Sequence, residues 1–220
     1  MGRIVCVANQ KGGVGKTTTA SNVAAGLAKA GMQTLLVDLD PQCNATTGLG
    51  GIPAETHPLV SEAALGENVV STAVTNLSLL PGSRSVRDVE RIADQAHAGS
   101  MVLSNHLSCG LNAWDYCLID CPPSLGELTR TALAGSTEVL MPIQCEYFAL
   151  EGLTQMIEVI RDVMADQPGR LSFSGIVLTM HDANLELTTE VEREVRDFFG
   201  EIVFDTVVPR DVTVSEAPSH

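Results

Sequence analysis

A chain of 220 residues, 45% hydrophobic but only 4% aromatic, has enough material for one domain with a substantial aliphatic core, and nothing in it marks a second. That balance suits a layered α/β fold and argues against an aromatic-rich β sandwich. A formal charge of −14, from 13 basic and 27 acidic residues, argues against a broad electrostatic footprint for nucleic acid. No apolar run approaches the ~20 residues of a membrane span. The N-terminus lacks the apolar stretch of a signal peptide, so a cytoplasmic location is expected. Six cysteines (Cys6, Cys43, Cys109, Cys117, Cys121, Cys145) show no Cys-x-x-Cys spacing and are expected as buried thiols.

In chain order, Arg3–Ala8 reads as a buried strand and Thr17–Ala30 as an Ala-rich helix stopped by Gly31. Thr34–Val37, Leu77–Leu80, Tyr116–Ile119, Glu138–Met141, Phe173–Met180 and Ile202–Val208 follow as further strands. Leu153, Met156, Ile157, Ile160 and Met164 fall on one face at helical spacing. The least readable part is Gly51–Trp114, with one weak strand and a helix-like stretch from Val86 to about His106. Strands alternating with helices imply a doubly wound, mostly parallel sheet with helices on both faces. Ligands of such sheets sit at the carboxyl ends of the strands, where the chemistry-bearing motifs fall.

Gln10-Lys11-Gly12-Gly13-Val14-Gly15-Lys16-Thr17-Thr18 follows the first strand and opens a helix. Its glycines let successive backbone N–H groups turn inward around phosphate oxygens, and the helix adds its own N–H groups and positive dipole end. In this P-loop arrangement Lys16 would contact the β- and γ-phosphates of a bound nucleotide, and the Thr17 hydroxyl would ligate Mg²⁺. An ordinary Gly-rich turn explains less, because strand, loop, Lys-Thr and helix occur together.

The usual P-loop has glycine where this chain has Gln10, and it does not require Lys11. Lys11-Gly12-Gly13-Val14-Gly15-Lys16-Thr17 resembles the deviant Walker A box of the ParA/MinD superfamily. Val37-Asp38-Leu39-Asp40-Pro41-Gln42, Leu118-Ile119-Asp120-Cys121-Pro122-Pro123, Pro142 to Gly152, and Val208-Pro209-Arg210-Asp211-Val212 through Ser219 resemble its further motifs, in the same order. The likeness is strongest to the chromosomal ParA/Soj branch of P-loop NTPases and spans nearly the whole chain.

The resemblance implies an ATP-gated dimer switch that hydrolyses ATP to ADP and phosphate in chromosome or plasmid partitioning. ATP and Mg²⁺ would be its cofactors, and a ParB-like partner would stimulate it. Lys11, Gly12, Gly13, Val14, Gly15, Lys16, Thr17 and Thr18 would cradle the nucleotide. Asp120 ends an apolar strand and would hold Mg²⁺ through water, with Thr17 as direct ligand. Asp40 would position the attacking water, with Asp38 in support; a lone strand-end aspartate is as often a turn cap. Lys11 would reach across the dimer to the other subunit's phosphates, where charge develops during transfer. Pro209 resembles the family's adenine-side proline, although a strand-ending proline is an equally plain reading.

Two departures stand out. Positions usually basic in the branch carry Asn184 and Thr213, and the adjoining segment bears Glu186, Glu190, Glu192, Glu194 and Asp197 against Arg193 and Arg196. Nonspecific DNA binding is therefore expected to be weak, because it rests mostly on phosphate neutralisation. The chain also stops at His220, short of the family's closing helix, and shows no terminal amphipathic helix for a membrane. An alternative role is positioning of a protein cargo. A metal-cluster-handling relative would need a cysteine pair at the dimer interface, which Cys121 alone does not supply.

Overall fold

The structure, a computed structural model, describes residues 2–61, 63–89, 114–146 and 149–217. The first strand, β1 (Arg3–Val7), shows why the layers form. Ile4 and Cys6 enter one apolar cluster, while Val5 and Val7 enter another on the opposite face. A strand that is apolar on both faces has to lie between two layers of helix, the usual setting of parallel sheets. β1 pairs in parallel with β5 (Tyr116–Asp120) on one side and β6 (Glu138–Gln144) on the other. Beyond β5 lie β2 (Thr34–Asp38), β4 (Leu77–Leu80) and the short edge strand β3 (Val70–Ser71); beyond β6 lie β7 (Ser172–His181) and β8 (Val203–Pro209). All these pairings are parallel except β3 with β4. The doubly wound, mostly parallel sheet expected from the sequence is what forms.

Helix α1 (Lys16–Lys29) lies on one face through Ala20, Ala24 and Ala28, all buried. Alanines four apart make a narrow stripe on one side of a helix, and their small size lets it approach β2 and β5 closely. The short helices α2 (Asn44–Gly48) and α3 (Pro58–Ser61) follow β2. The opposite face is covered by α4 (Glu127–Gly135), α5 (Ala149–Asp166) and α6 (Glu186–Phe199), through Leu128, Leu133, Met156, Ile160, Val191 and Val195. Helix α7 (Val212–Glu216) follows β8. Each fully buried aliphatic side chain contributes about 1.5–3 kcal/mol, and this two-sided core fixes the height at which the strand ends meet solvent.

The strand expectations hold to within a few residues at each end. On α5 the buried stripe runs through Leu153, Met156, Val159, Ile160 and Val163, whereas Met164, expected on that face, is 37% exposed. The stripe is rotated toward the two valines, because the sheet contacts the helix along that side. The edge strand β3 is too short and too exposed to leave a pattern in the sequence. Most of the helix-like stretch from Val86 to about His106, and Cys109, lie outside the described residues. Among the described residues, no helix is long and apolar enough to cross a membrane.

Candidate functional site

The carboxyl ends of β1, β2 and β5 converge on the loop that joins β1 to α1. Gly13 and Gly15 have φ of 76° and 86°, in the left-handed region where a side chain is strained. Conformation, not space, demands glycine here: a Cβ at Gly13 would meet nothing within 4 Å. The loop is tied down at both ends. Asn9 donates to the Pro142 carbonyl at 2.8 Å and accepts from the Lys11 N–H at 3.0 Å, and Thr179 Oγ1 donates to the Val14 carbonyl at 2.8 Å. Gly12 is exposed, and the Pro123 Cβ would lie 3.9 Å from a Cβ placed there.

Lys16 begins α1 and is only 6% exposed. Its ammonium folds back onto the loop and donates to the Lys11 carbonyl at 2.8 Å. Burial holds its pKa below the ordinary lysine value, against the pull of Asp120 and Asp40. Thr17 is half-buried and Thr18 exposed on the same first turn.

The aspartates differ from one another. Asp38 and Asp120 are register partners on β2 and β5, and neither is exposed. Asp38 Oδ2 accepts from the Thr46 N–H at 2.8 Å and the Thr46 hydroxyl at 2.6 Å, and Oδ1 accepts from the Asp40 N–H at 3.2 Å. The Thr46 hydroxyl in turn accepts from the Gly82 N–H at 2.8 Å. Gly82 is glycine for lack of room: a Cβ there would stand 2.8 Å from the Asp38 carboxyl carbon. Burial raises the Asp38 pKa, although these donors pull it back.

Neither oxygen of Asp120 has a hydrogen-bond partner of acceptable geometry. Burial, with Asp38 and Asp40 nearby, pushes its pKa up to about 8; the Thr17 hydroxyl and Lys16 act in the other direction. The Thr17 hydroxyl is thus near enough to act on the carboxyl without making a well-aligned bond. Asp40, 6% exposed, accepts from the Gln42 N–H at 2.8 Å, so it does cap a turn while standing among the site residues.

Pro209 ends β8 and is exposed. It lines a cavity of about 90 Å³ together with Gly15, Thr18, Thr179 and Met180, immediately beside the loop. The geometry therefore brings Lys16, Thr17, Asp40 and Asp120 together and sets Pro209 to one side of them. Cys121 points away from the surface, with its sulfur 3.3 Å from that of Cys6 in the core, so it is not presented to a second subunit. Asn9, Thr46, Gly82 and Thr179 support the site but carry no motif of their own. Only their small polar or glycine character next to strand ends hints at such work.

A glycine-rich loop between β1 and a helix, facing buried carboxylates at the ends of neighbouring parallel strands, defines a P-loop nucleotide-binding protein. A family profile described as an AAA domain matches residues 2–173. The sporulation initiation inhibitor protein Soj of Bacillus subtilis (strain 168) is 43% identical over 225 residues, covering 100% of this chain and 89% of the relative. The chromosome-partitioning ATPase Soj of Treponema pallidum (strain Nichols) is 45% identical over 224 residues, covering 100% and 88%. Among solved structures, cobyrinic acid a,c-diamide synthase from Mycobacterium smegmatis with bound ADP and magnesium gives a TM-score of 0.90 at 32% identity, covering 100% of this chain and 92% of that one. The chain belongs to the ParA/MinD superfamily of P-loop ATPases and is most similar to its chromosomal ParA/Soj branch.

Proposed function

We propose that this chain is a Mg-ATP-dependent dimer switch that hydrolyses ATP to ADP and phosphate and serves chromosome or plasmid partitioning in the cytoplasm. The observation that carries the reading is Asp120: a carboxylate sealed from solvent, without a well-aligned hydrogen-bond partner, beside the loop lysine and the first helical threonine. Buried polar atoms are almost always satisfied, so an orphan pair of oxygens at the mouth of a phosphate loop suits a hard divalent cation. Mg²⁺ held by Thr17 and, through water, by Asp120 would neutralise charge on the β- and γ-phosphates.

The chain's own residues do the rest. The backbone N–H groups from Gly12 to Thr18 cradle the phosphates, and Lys16 exchanges the Lys11 carbonyl for phosphate oxygens. Asp40 orients the attacking water, its carboxylate fixed by the turn bond from Gln42. Lys11 reaches the partner subunit's phosphates only after two subunits meet, so assembly and hydrolysis are coupled. Pro209 flanks the base. The biological setting comes from the relatives, which are named as chromosome-partitioning proteins, and a ParB-like partner is expected to stimulate turnover.

The matrix on which such a switch works is a separate matter. On α6, Glu192 holds Arg196 at 2.8 Å and His181 at 2.8 Å, so Arg196 is already neutralised within the chain. Together with the net charge of −14, this supports weak nonspecific DNA binding and gives weight to the reading in which a protein cargo or scaffold is positioned. Light scattering with and without Mg-ATP, repeated with random duplex DNA, tests both points. A chain that stays monomeric with Mg-ATP and does not turn it over overturns the switch. Tight, salt-sensitive DNA binding by the ATP dimer overturns the charge argument.

A further inference from the structure

Lys11 is held at three points within its own chain. Its N–H donates to Asn9, its carbonyl accepts from Lys16, and its ammonium lies 3.3 Å from Glu146 Oε2. Glu146 stands two residues past the end of β6. Its other oxygen accepts from Gln144 Nε2 at 2.5 Å and lies 3.7 Å from the guanidinium of Arg210, the residue after Pro209. One carboxylate thus joins the ends of β6 and β8 to the phosphate loop.

We propose that Glu146 is a positioning residue: it holds Lys11 against its own subunit until a second subunit competes for it, and so sets how readily two subunits join. The inference rests on the reading of Lys11 as a group that acts on the partner's phosphates. A lysine cannot serve its own Glu146 and a neighbouring subunit's triphosphate at once, so the two contacts compete.

The arrangement has the properties a releasable hold requires. Both side chains are partly exposed, 36% for Lys11 and 46% for Glu146, and water screens ion pairs of that kind so that each opens at a cost of only a few-fold in equilibrium. Gln144 and Arg210 keep the carboxylate aimed at the loop. Nucleotide loosens the set in order, because Lys16 gives up the Lys11 carbonyl when it turns to phosphate. Glu146 then remains the charged hold on Lys11. A dimer must open two such holds, one per subunit, so their effects multiply in the dimer dissociation constant.

The chain has three lysines, Lys11, Lys16 and Lys29, of which Lys16 is buried and Lys29 exposed. Amine acetylation by an N-hydroxysuccinimide ester, mapped by mass spectrometry on the nucleotide-free 220-residue chain, therefore reports on Lys11 with Lys29 as internal reference. Glu146→Gln is expected to speed Lys11 labelling about 2- to 5-fold over wild type. Glu146→Asp, which keeps the charge but is one methylene shorter, is expected to act in the same direction. With a non-hydrolysable ATP analogue, Glu146→Gln should lower the dimer dissociation constant by roughly 2- to 20-fold. Unchanged Lys11 labelling overturns the proposal, as does a dimer no tighter than wild type. Glu146→Asp labelling at the wild-type rate beside a faster Glu146→Gln would assign the effect to overall charge and overturn it too. A wild-type chain that fails to dimerise with the analogue sinks the reading of Lys11 beneath the proposal, an outcome the monomer labelling keeps separate from failure of the hold itself.

Discussion

Asp38 and Asp120 face each other on adjacent strands, equally buried, yet they are held in opposite ways. Asp38 has a donor for each oxygen and a glycine pressed against its carboxyl group. Asp120 has none of acceptable geometry. A buried carboxylate supplied with donors is part of the scaffold, whereas one left without donors has its binding capacity in reserve. On the proposed reading, the contrast separates support from chemistry where burial and strand position alone do not.

The largest expected break comes at Lys16, whose ammonium is buried at the loop and drawn toward its charged form by Asp120 and Asp40. Lys16→Ala should cost about 10³-fold in Mg-ATP affinity by isothermal titration, the loss of two charge-assisted bonds to phosphate. Unchanged affinity would remove the P-loop assignment.

Asp40 lies between the two carboxylates in sequence, and its work is expected only in the transition state. Asp40→Ala should keep ATP affinity, lower turnover about 100-fold or more, and leave an ATP-bound dimer visible by light scattering. Wild-type turnover, or a variant that stays monomeric with ATP, contradicts that role.

Asp120→Asn sharpens the comparison through pH. The folded carboxyl titrates near 8 against an ordinary 3.8, so it is raised. Its stabilising share is complete below the lower value and is lost as pH climbs through the upper one. Without nucleotide, wild type should therefore lose on the order of 2 kcal/mol relative to Asp120→Asn between about pH 6 and about pH 8. Denaturation midpoints at the two pH values measure it. Parallel curves would mean that Asp120 is already ionised. The same variant should weaken Mg-ATP binding, which Asn at position 38 has no direct reason to do.

The smallest effect falls on the scaffold side. Thr46→Val removes one donor to Asp38 and the acceptor for the Gly82 N–H, costing about 1–3 kcal/mol of stability. Mg-ATP affinity, measured below the unfolding range, should be unchanged. A large affinity loss would show that Asp38 belongs to the chemistry after all.

The phosphate loop, Asp40 and Asp120 were legible in the sequence because each is local: a strand, a short motif and a break, all within a dozen residues. Their supporters were not. Thr46 lies eight residues from Asp38, Gly82 lies 36 from Thr46, and Glu146 lies 135 from Lys11, so only the sheet brings them together. Glu146 even falls inside a motif that carried the family resemblance, yet chain spacing gives no clue to which loop it meets. The fold class was readable from alternating apolar runs. Met164 departs from the expected stripe because a helix of period 3.6 offers several adjacent stripes, and the neighbouring sheet, not the helix, decides which one is buried.

The central position of β1 also dictates an order of events during synthesis. Arg3 pairs with Tyr116 and Val5 with Glu138, so β1, once it leaves the ribosome, finds neither of its sheet neighbours until more than a hundred further residues have followed. Until then an apolar strand and its Ala-faced helix wait without a core to enter. Long-range parallel pairing of this kind is slow, and the waiting segments are open to aggregation or to chaperones. The phosphate loop can become a rigid cradle only after that delay, so a nascent chain has no assembled nucleotide site until Asp120 has been made.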